Sequence, residues 1–597
     1  MKRKISEIST DCIPEEIDWI SGLPDHIIHI ILSSLSTKDA TRTTVLSKIF
    51  KSAWDSLPVL DFDSTYSRNW STVSGKRQFL EYMQGCIQRR ANNLGLLKFR
   101  LQVDPILLDP VNCAADEAIA YAILNKVREL DLSFNNSLNL CYSLQPAVFS
   151  AVFSAKTVKV LKLNGLDLKS LDHVNFPSIE ELNLRCCDMG NKLKISTDRL
   201  KIVEFLYCVG MSHIDVCSSN LTTFSYQLIQ LSNKCKINLK ACKSLKNLIL
   251  KRVGLTSECL KANLSMSVLL ENLKLDGCDK FEDICITSSS LKTLEIRDFA
   301  RLKKIVVVAV NLESFVFGTY IMNSECDIKV VDCKFLKVLD ISNAPITDGW
   351  VEKTVSKLRF LEHLKLSFCF LLTKIMVYHD ALKGLVLIDC INLREVEFHS
   401  RNLTSFRYIG EGIHSKFCID SPALEADLIL KGAFLVTPSR ELRDLLGFFD
   451  HCKTLAIACR SMQCLIFPKD LRERLIPPLY DIKHLRIVST ICSTVSNNLI
   501  ELVDALLWLS PLLETITFIS PFRQNKSLKL EYVNTEAFEE EGMLGVEDQF
   551  CCHKLLIKCW RHFLKKISME NFKASDQMKL KKYFRQQAIR LESITPP

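Results

Sequence analysis

Apolar and polar residues recur in a fixed motif along most of this chain: an apolar residue, a second three positions on, and a third two beyond that (L-x-x-L-x-L). The triplet opens at Leu94, Val127, Val158, Ile179, Leu200, Leu221, Leu245, Leu270, Leu291, Leu312, Leu336, Leu361, Leu382 and Leu403, with a degraded copy at Leu424. From Val158 onward the starts are 21, 21, 21, 24, 25, 21, 21, 24, 25, 21, 21 and 21 residues apart. The block 21-21-24-25 therefore runs twice and sets a 91-residue super-period. A repeat of this length is one supersecondary unit that buries its apolar face only by stacking on its neighbours. The expected fold is a solenoid, and its expected use is a long binding surface.

Within each triplet the last two apolar positions follow strand alternation, one face inward and one outward. A second alternating pair follows 14 and 16 residues after many starts, as in Ile214/Val216, Ile284/Ile286, Ile305/Val307, Ile375/Val377 and Val396/Phe398. Each 21-residue unit is thus expected to hold one concave strand and one short convex extended segment. Only the longer units have room for a helix, predicted at Thr256–Val268 and Asp348–Leu358. Outward positions lie two, four and six residues after each start. Most are polar or charged, as in Glu129/Asp131/Ser133, Glu181/Asn183/Arg185, Asn272/Lys274/Asp276, Thr293/Glu295/Arg297 and His363/Lys365/Ser367. Near the end of the array they turn apolar at Val386, Ile388 and Ile409 beside Arg407, a candidate target-binding patch with a charged rim. A tail folded back over that patch is the alternative.

Residues 14–62 do not fit the repeat. Pro24 suits the first turn of a helix and Asp25 adds a carboxylate near its positive end. Ile27, Ile28, Ile31, Leu32 and Leu35 then form a stripe at helical spacing. Thr37 is positioned to cap a second helix ending near Leu46, and Ser47 a third reaching Trp54. Three short helices bury little surface alone, so a partner is expected to complete their core.

This leader resembles an F-box, carried by Leu23-Pro24-Asp25, Ile28, Ile31-Leu32, Leu35, Lys38-Asp39-Ala40, Val45-Leu46-Ser47-Lys48, Trp54 and Leu57-Pro58. The family usually has a basic residue and then Trp where this chain has Ile49-Phe50. With the repeats behind it, the order resembles the plant F-box/LRR proteins, including members with an FBD-type tail. The resemblance implies docking to a Skp-type adaptor, and through it to a cullin, by way of Leu23, Pro24, Ile28, Ile31, Leu32, Leu35, Asp39, Val45, Leu46 and Trp54. It further implies a non-catalytic adaptor that holds an unknown target protein on the repeats for ubiquitination. A scaffold acting without ubiquitination is the alternative.

Eight residues after their starts stand Cys187, Cys208, Cys278, Cys369 and Cys390, where leucine-rich repeats place Asn or Cys, and Cys242 and Cys333 are super-period equivalents. These read as small buried residues under a turn, not as reactive or metal-binding thiols. The tail adds helices at Leu442–Asp450 and Leu499–Leu509, strands at Thr454–Ile457, His484–Val488 and Glu514–Phe518, and an exposed acidic loop over 521–549. A Cys559–Ile567 segment then feeds a basic helix near Asp576–Ala588, similar to FBD-type endings. Cys551, Cys552, His553, Cys559 and His562 lack the spacing of a zinc finger or ribbon, and Leu555–Ile557 between them reads as a packed strand.

A charge of +9 over 597 residues is well short of the concentrated basic face of a nucleic-acid binder. No apolar run reaches the length of a membrane span. The N-terminus lacks the apolar region of a secretory signal, and the 25 cysteines are an odd number. The expectation is a cytoplasmic and/or nuclear protein with reduced thiols and with no cofactor, metal, nucleic acid or membrane among its partners. No phosphate-cradling glycine motif or catalytic constellation is present. A small-molecule co-receptor role would need a basic floor, for which Arg185, Lys274, Arg297, Lys365 and Arg407 are the candidates.

The expected architecture is an α/β solenoid. It comprises a flexible N-terminus (1–13), a three-helix F-box (14–62) and a connector with a first irregular repeat (63–126). A curved leucine-rich-repeat horseshoe with parallel concave strands (127–430) and an irregular α+β C-terminal region (431–597), of irregular-repeat or FBD-like character, follow.

Overall fold

A computed structural model describes residues 23–66, 73–90, 95–103, 108–134, 141–231, 235–278, 281–299, 301–320, 326–411, 416–421, 424–431, 440–459, 461–489, 499–520, 524–533 and 559–595. The N-terminus, Pro14 to Gly22 of the leader, Leu94, most of the acidic loop, Cys551, Cys552, His553 and Leu555–Ile557 lie outside the described residues. The chain divides into two compact units, Met1–Leu270 and Glu271–Pro597.

The first unit begins with α1 (Asp25–Ser33), α2 (Thr37–Arg42) and α3 (Lys48–Asp55), with a 3-10 turn over Thr43–Val45. Pro24 stands at the N-cap of α1 with Asp25 in its first turn, and Ser47 Oγ caps α3 by accepting the Phe50 N–H at 3.3 Å. The cap of α2 differs from expectation. Ser36 accepts the Asp39 N–H, whereas Thr37 is buried and its Oγ1 accepts the Asp61 N–H at 2.6 Å.

Asp61 belongs to β1 (Val59–Asp63), and the segment Leu57-x-x-Leu60-x-Phe62 is a full repeat triplet with all three residues buried. After α4 (Val73–Gln88), β2 (Lys98–Val103) pairs parallel with β1, so the ladder starts directly behind the helical leader. Its triplet opens at Leu96, not Leu94. Leu96, Phe99 and Leu101 are buried, Leu97 is 46% exposed, and Lys98 sits opposite Glu129.

Through α5 (Leu108–Leu124), β3 (Glu129–Phe134), α6 (Pro146–Ser154) and β4 (Val160–Asn164) the ladder continues, parallel throughout. It then adds β5 (Glu181–Arg185), β6 (Ile202–Leu206), β7 (Thr223–Gln227) and β8 (Asn247–Lys251). Behind them a convex sheet is formed by His173–Val174, Lys192–Ser196, His213–Cys217 and Lys236–Asn238. The helix expected after Thr256 is α7 (Ser257–Leu264), capped by that threonine.

The second unit repeats the plan in β9 (Asn272–Asp276), β10 (Thr293–Arg297), β11 (Ser314–Gly318), β12 (Val338–Ser342), β13 (His363–Ser367), β14 (Gly384–Ile388), β15 (Ser405–Gly410) and β16 (Glu425–Leu430). Its convex strands form two three-stranded sheets, and α8 (Asp348–Val355) stands 91 residues after α7. The tail keeps to the same ladder. Behind α9 (Arg440–Gly447) comes β17 (Thr454–Cys459), then β18 (His484–Ser489), α10 (Leu499–Leu509) and β19 (Thr515–Ile519), all parallel and in register.

Only beyond β19 does the direction change. The strands β20 (Lys526–Tyr532) and β21 (Leu564–Glu570) run antiparallel, α11 (Ala574–Gln587) packs on α10, and β22 (Ser593–Thr595) closes parallel to β21. Asp504 on α10 ties this end together, accepting bonds from Arg472 at 2.6 Å, Arg561 at 3.5 Å and the Tyr583 hydroxyl.

Concave strands commonly end in one backbone device. The residue seven after the start takes the left-handed conformation at Gly165, Cys186, Tyr207, Arg252, Gly277, Asp298, Asn343, Phe368 and Asp389. Its N–H is then free to reach the next unit, as Cys186 does to Leu206 O at 2.8 Å and Phe368 to Ile388 O at 2.7 Å. The following residue is turned inward. Cys187, Cys208, Cys278, Cys369 and Cys390 all fill that slot, buried, with Cys208 Sγ donating to Leu184 O at 3.2 Å.

Candidate functional site

The leader's inner face is completed from within the chain. Ile28, Ala40, Phe50, Ala53 and Trp54 are buried together with Phe79, Leu80, Met83 and Cys86 of α4. Thr41 Oγ1 meets the Tyr82 hydroxyl at 3.2 Å. Just after α4, buried Arg90 donates to the carbonyls of Trp54 and Leu57, its guanidinium 5.2 Å from the centre of the Trp54 ring. An arginine that satisfies two carbonyls at a helix end and covers an aromatic face is a strong local tether. The expectation that only a partner could finish this core is corrected: α4 and β1 do so on one side.

The other side is left apolar. Ile30 is 65% exposed, Val45 85% and Leu46 67%, with Ile31, Leu35 and Ile49 each near two-fifths exposed. Six large apolar side chains within a twenty-residue stretch (30–49), on helices that pack on one another, form an unusual surface for a folded module. Of the ten residues assigned to adaptor docking, Pro24, Ile31, Leu35, Asp39, Val45 and Leu46 are exposed and Leu23 is half-buried. Ile28, Leu32 and Trp54 are instead inside, shaping the helices that present the others. Ile30 and Ile49 were not assigned, and they are open. Ile49 occupies the position where the family usually has a basic residue, and it extends the apolar face, while Phe50 fills the interior.

On the concave strands the structure brings together the second set of candidates. Val386 lies opposite Arg407 and Ile388 opposite Ile409, with the two isoleucines half-buried and Arg407 bound to Asp427 at 2.9 Å. The apolar part is longer than sequence spacing suggested. Ile388, Ile409, Ile429, Ala458, Val488 and Ile519 sit side by side in register across β14 to β19. At about 4.8 Å per strand this row spans roughly 24 Å. The corresponding positions earlier in the unit are Asp276, Arg297, Gly318, Ser342 and Ser367. The tail's last described strands, β20 to β22, attach at the β19 end of the ladder.

Four of the five basic-floor candidates are neutralised in place, whereas Arg185 is exposed and forms no ion pair among the described residues. Lys274 pairs with Glu295 at 2.9 Å, Arg297 with Glu295 at 2.5 Å, Lys365 with Asp340 at 2.8 Å and Arg407 with Asp427. Asp61 and Asp63 are structural, both 3.3 Å from Arg100, which also lies 3.9 Å from Asp131. Burial pushes the Asp131 carboxyl up, and Arg100 acts against that shift. Cys559 and His562 flank a 3-10 turn, and no group of three or more metal-ligating side chains occurs among the described residues. No described helix is long and apolar enough to cross a membrane.

Residues 20–62 match the F-box domain family, and residues 210–360 match the family described as FBD-associated F-box protein At5g56370, LRR repeats. Three similar proteins are from Arabidopsis thaliana. F-box/LRR-repeat protein 13 is 27% identical over 36% of this chain and 46% of its own length. Putative F-box/FBD/LRR-repeat protein At1g66290 is 28% identical over 32% of this chain and 39% of its own length. F-box/FBD/LRR-repeat protein At5g53840 is 41% identical over a shorter stretch, 13% of this chain and 20% of that protein. The chain thus spans less than half the length of each of these three relatives. Its helical leader and its stacked parallel strands are similar to those of F-box/FBD/LRR-repeat proteins.

Proposed function

We propose that this chain is the non-catalytic, target-recognising subunit of a Skp–cullin–F-box ubiquitin ligase, working in the cytoplasm or nucleus. The observation that carries the reading is the bare apolar face of the leader, Ile30, Ile31, Leu35, Val45, Leu46 and Ile49, on helices whose opposite side is already packed on α4. Such a face is costly to leave in water and is suited to an apolar partner surface, here a Skp-type adaptor. The concave row from Ile388 to Ile519 is the surface assigned to the target protein. The chemistry asked of the chain is proximity alone: holding the target beside the conjugating enzyme raises the effective concentration of its lysines.

The test is binding of the full chain to a purified Skp-type adaptor by titration calorimetry. Val45→Asp with Leu46→Asp should weaken binding by about 30-fold or more, the range expected when central apolar anchors are lost. Both positions face solvent, so circular dichroism should be unchanged. An intact chain that does not bind the adaptor would refute the proposal.

A further inference from the structure

Charge along this solenoid follows a recurrent pattern. In several rows, side chains that stand in register on neighbouring units alternate in sign. One ladder, set one residue after the starts, runs Lys159–Glu180–Lys201 in the first unit, with contacts of 3.0 and 2.8 Å. In the second unit the same position gives pairs Glu271–Lys292, Glu313–Lys337 and Glu362–Lys383, at 2.8, 2.8 and 3.0 Å. The convex sheets of the second unit behave likewise. Their first outward rows read Asp283–Lys304–Asp327 and Lys374–Glu395–Lys416. Opposite charges set directly across strands stabilise a sheet and like charges destabilise it.

The convex sheet of the first unit departs from the pattern of its second-unit equivalents. Its equivalent row is Lys192–His213–Lys236, three exposed basic residues in register on neighbouring strands. In the next row Lys194 lies opposite Asp215. None of these three lysines forms an ion pair among the described residues, although Asp172 and Asp215 lie close by. Asp215 Oδ1 accepts from the Asn238 amide at 2.8 Å. His213 Nδ1 lies 2.9 Å from Ser212 Oγ, leaving Nε2 as the other ring nitrogen open to a ligand. These residues line an open groove of about 690 Å³, within the roughly 300–1,000 Å³ typical of ligand pockets.

We infer that this convex groove binds an acidic peptide segment of a partner protein. The charge is spread, not focused. Lys192 and Lys194 are two residues apart on one strand, about 6.6 Å, and Lys192 and Lys236 are two strands apart, about 9.6 Å. Several carboxylates along an extended chain meet that spacing better than one compact anion does. The unpaired Lys–His–Lys row supplies the attraction, and Asp172 and Asp215 bound it.

The experiment titrates the full chain with synthetic hexaglutamate at low salt, with inorganic phosphate as a parallel probe. Saturable binding of hexaglutamate, weakened at least tenfold by Lys192→Ser with Lys236→Ser, is expected. A Lys303→Ser control, which removes an exposed ion-paired lysine of the other unit, should bind as the parent does. Circular dichroism and adaptor binding should be the same in all three proteins. Absence of hexaglutamate binding, or equal binding by the Lys192/Lys236 double variant, would overturn the inference. So would phosphate that binds as tightly as the peptide, since the groove would then take a free anion.

Discussion

At the scale of the residue, the turn after each concave strand decides which side chains a repeat tolerates. The left-handed conformation places one N–H toward the next unit and one small thiol inside, and L-residues occupy it at a cost of about 1–2 kcal/mol. Most units accept that cost, because the residue there, such as Asp298 or Phe368, projects away from the ladder. Gly165 is different. The preceding strand, β3, runs one residue longer, and a Cβ at Gly165 would meet the Phe134 carbonyl oxygen at 2.1 Å. Gly165→Ala should therefore lower the unfolding free energy by about 2–3 kcal/mol, as local backbone strain of this kind does. Denaturant unfolding of the two proteins checks it, and a loss under half a kilocalorie would show that β3 yields instead. The thiol slot was legible in the sequence, because Cys recurs there. The left-handed residue before it was not, since Gly, Cys, Tyr, Arg, Asp, Asn and Phe all occupy it and share no side-chain chemistry.

At the scale of the element, the alternating Lys/Glu ladder makes a pH prediction. Hydrogen bonds from Lys201 and Lys159 hold the Glu180 carboxyl down at about 2, and those from Lys337 and Lys383 lower Glu313 and Glu362. A folded value below the unfolded one, about 4.3 for Glu, means the contribution is complete above that value and is lost as pH falls toward 2. The denaturant midpoint should fall between pH 5 and pH 3, and Glu180→Gln should make that slope shallower. These groups are exposed, so the effect is small and should shrink in high salt. An unchanged slope in Glu180→Gln would remove Glu180 from the account. Element boundaries show where pattern reading succeeds. The 91-residue super-period located α7 and α8 and every concave strand from β4 to β15, because the units there are short and of fixed length. It misplaced β2 by two residues: Leu94-x-x-Leu97-x-Phe99 and Leu96-x-x-Phe99-x-Leu101 both satisfy the motif, and a shift of two keeps every side chain on its face. It missed β1, whose triplet Leu57, Leu60 and Phe62 was absorbed into the leader's own motif. In the tail, starts at Leu424, Cys452, Ile482 and Leu513 stand 28, 30 and 31 residues apart, with helices filling the difference, so the strands were visible as an irregular extension of the solenoid but their exact register was not.

At the scale of the whole molecule, the proposed function assigns two tasks to two places far apart in sequence, and they should fail separately. The exposed apolar face of the leader was half legible. Helical spacing picked out Ile31 and Leu35, and the F-box resemblance added Val45 and Leu46, but neither can say which side α4 will cover, so buried Ile28, Leu32 and Trp54 were named with them and exposed Ile30 was passed over. The concave apolar row was legible only at Ile388 and Ile409, because its other members belong to units whose register the sequence hid. The separation can be tested with two variants of the full chain expressed in cells that supply adaptor and targets. Val45→Asp with Leu46→Asp removes the proposed docking face, whereas Ile388→Asp with Ile429→Asp puts charge on the concave apolar row at outward positions two strands apart. Quantitative mass spectrometry of the purified complexes should show the first variant losing the adaptor and cullin while keeping, or accumulating, other bound proteins. The second should keep adaptor and cullin at parental levels and lose a defined subset of the others. Loss of the same proteins from both variants would mean that the partners reach this chain through the adaptor, and the strands from β14 to β19 would then have no target of their own.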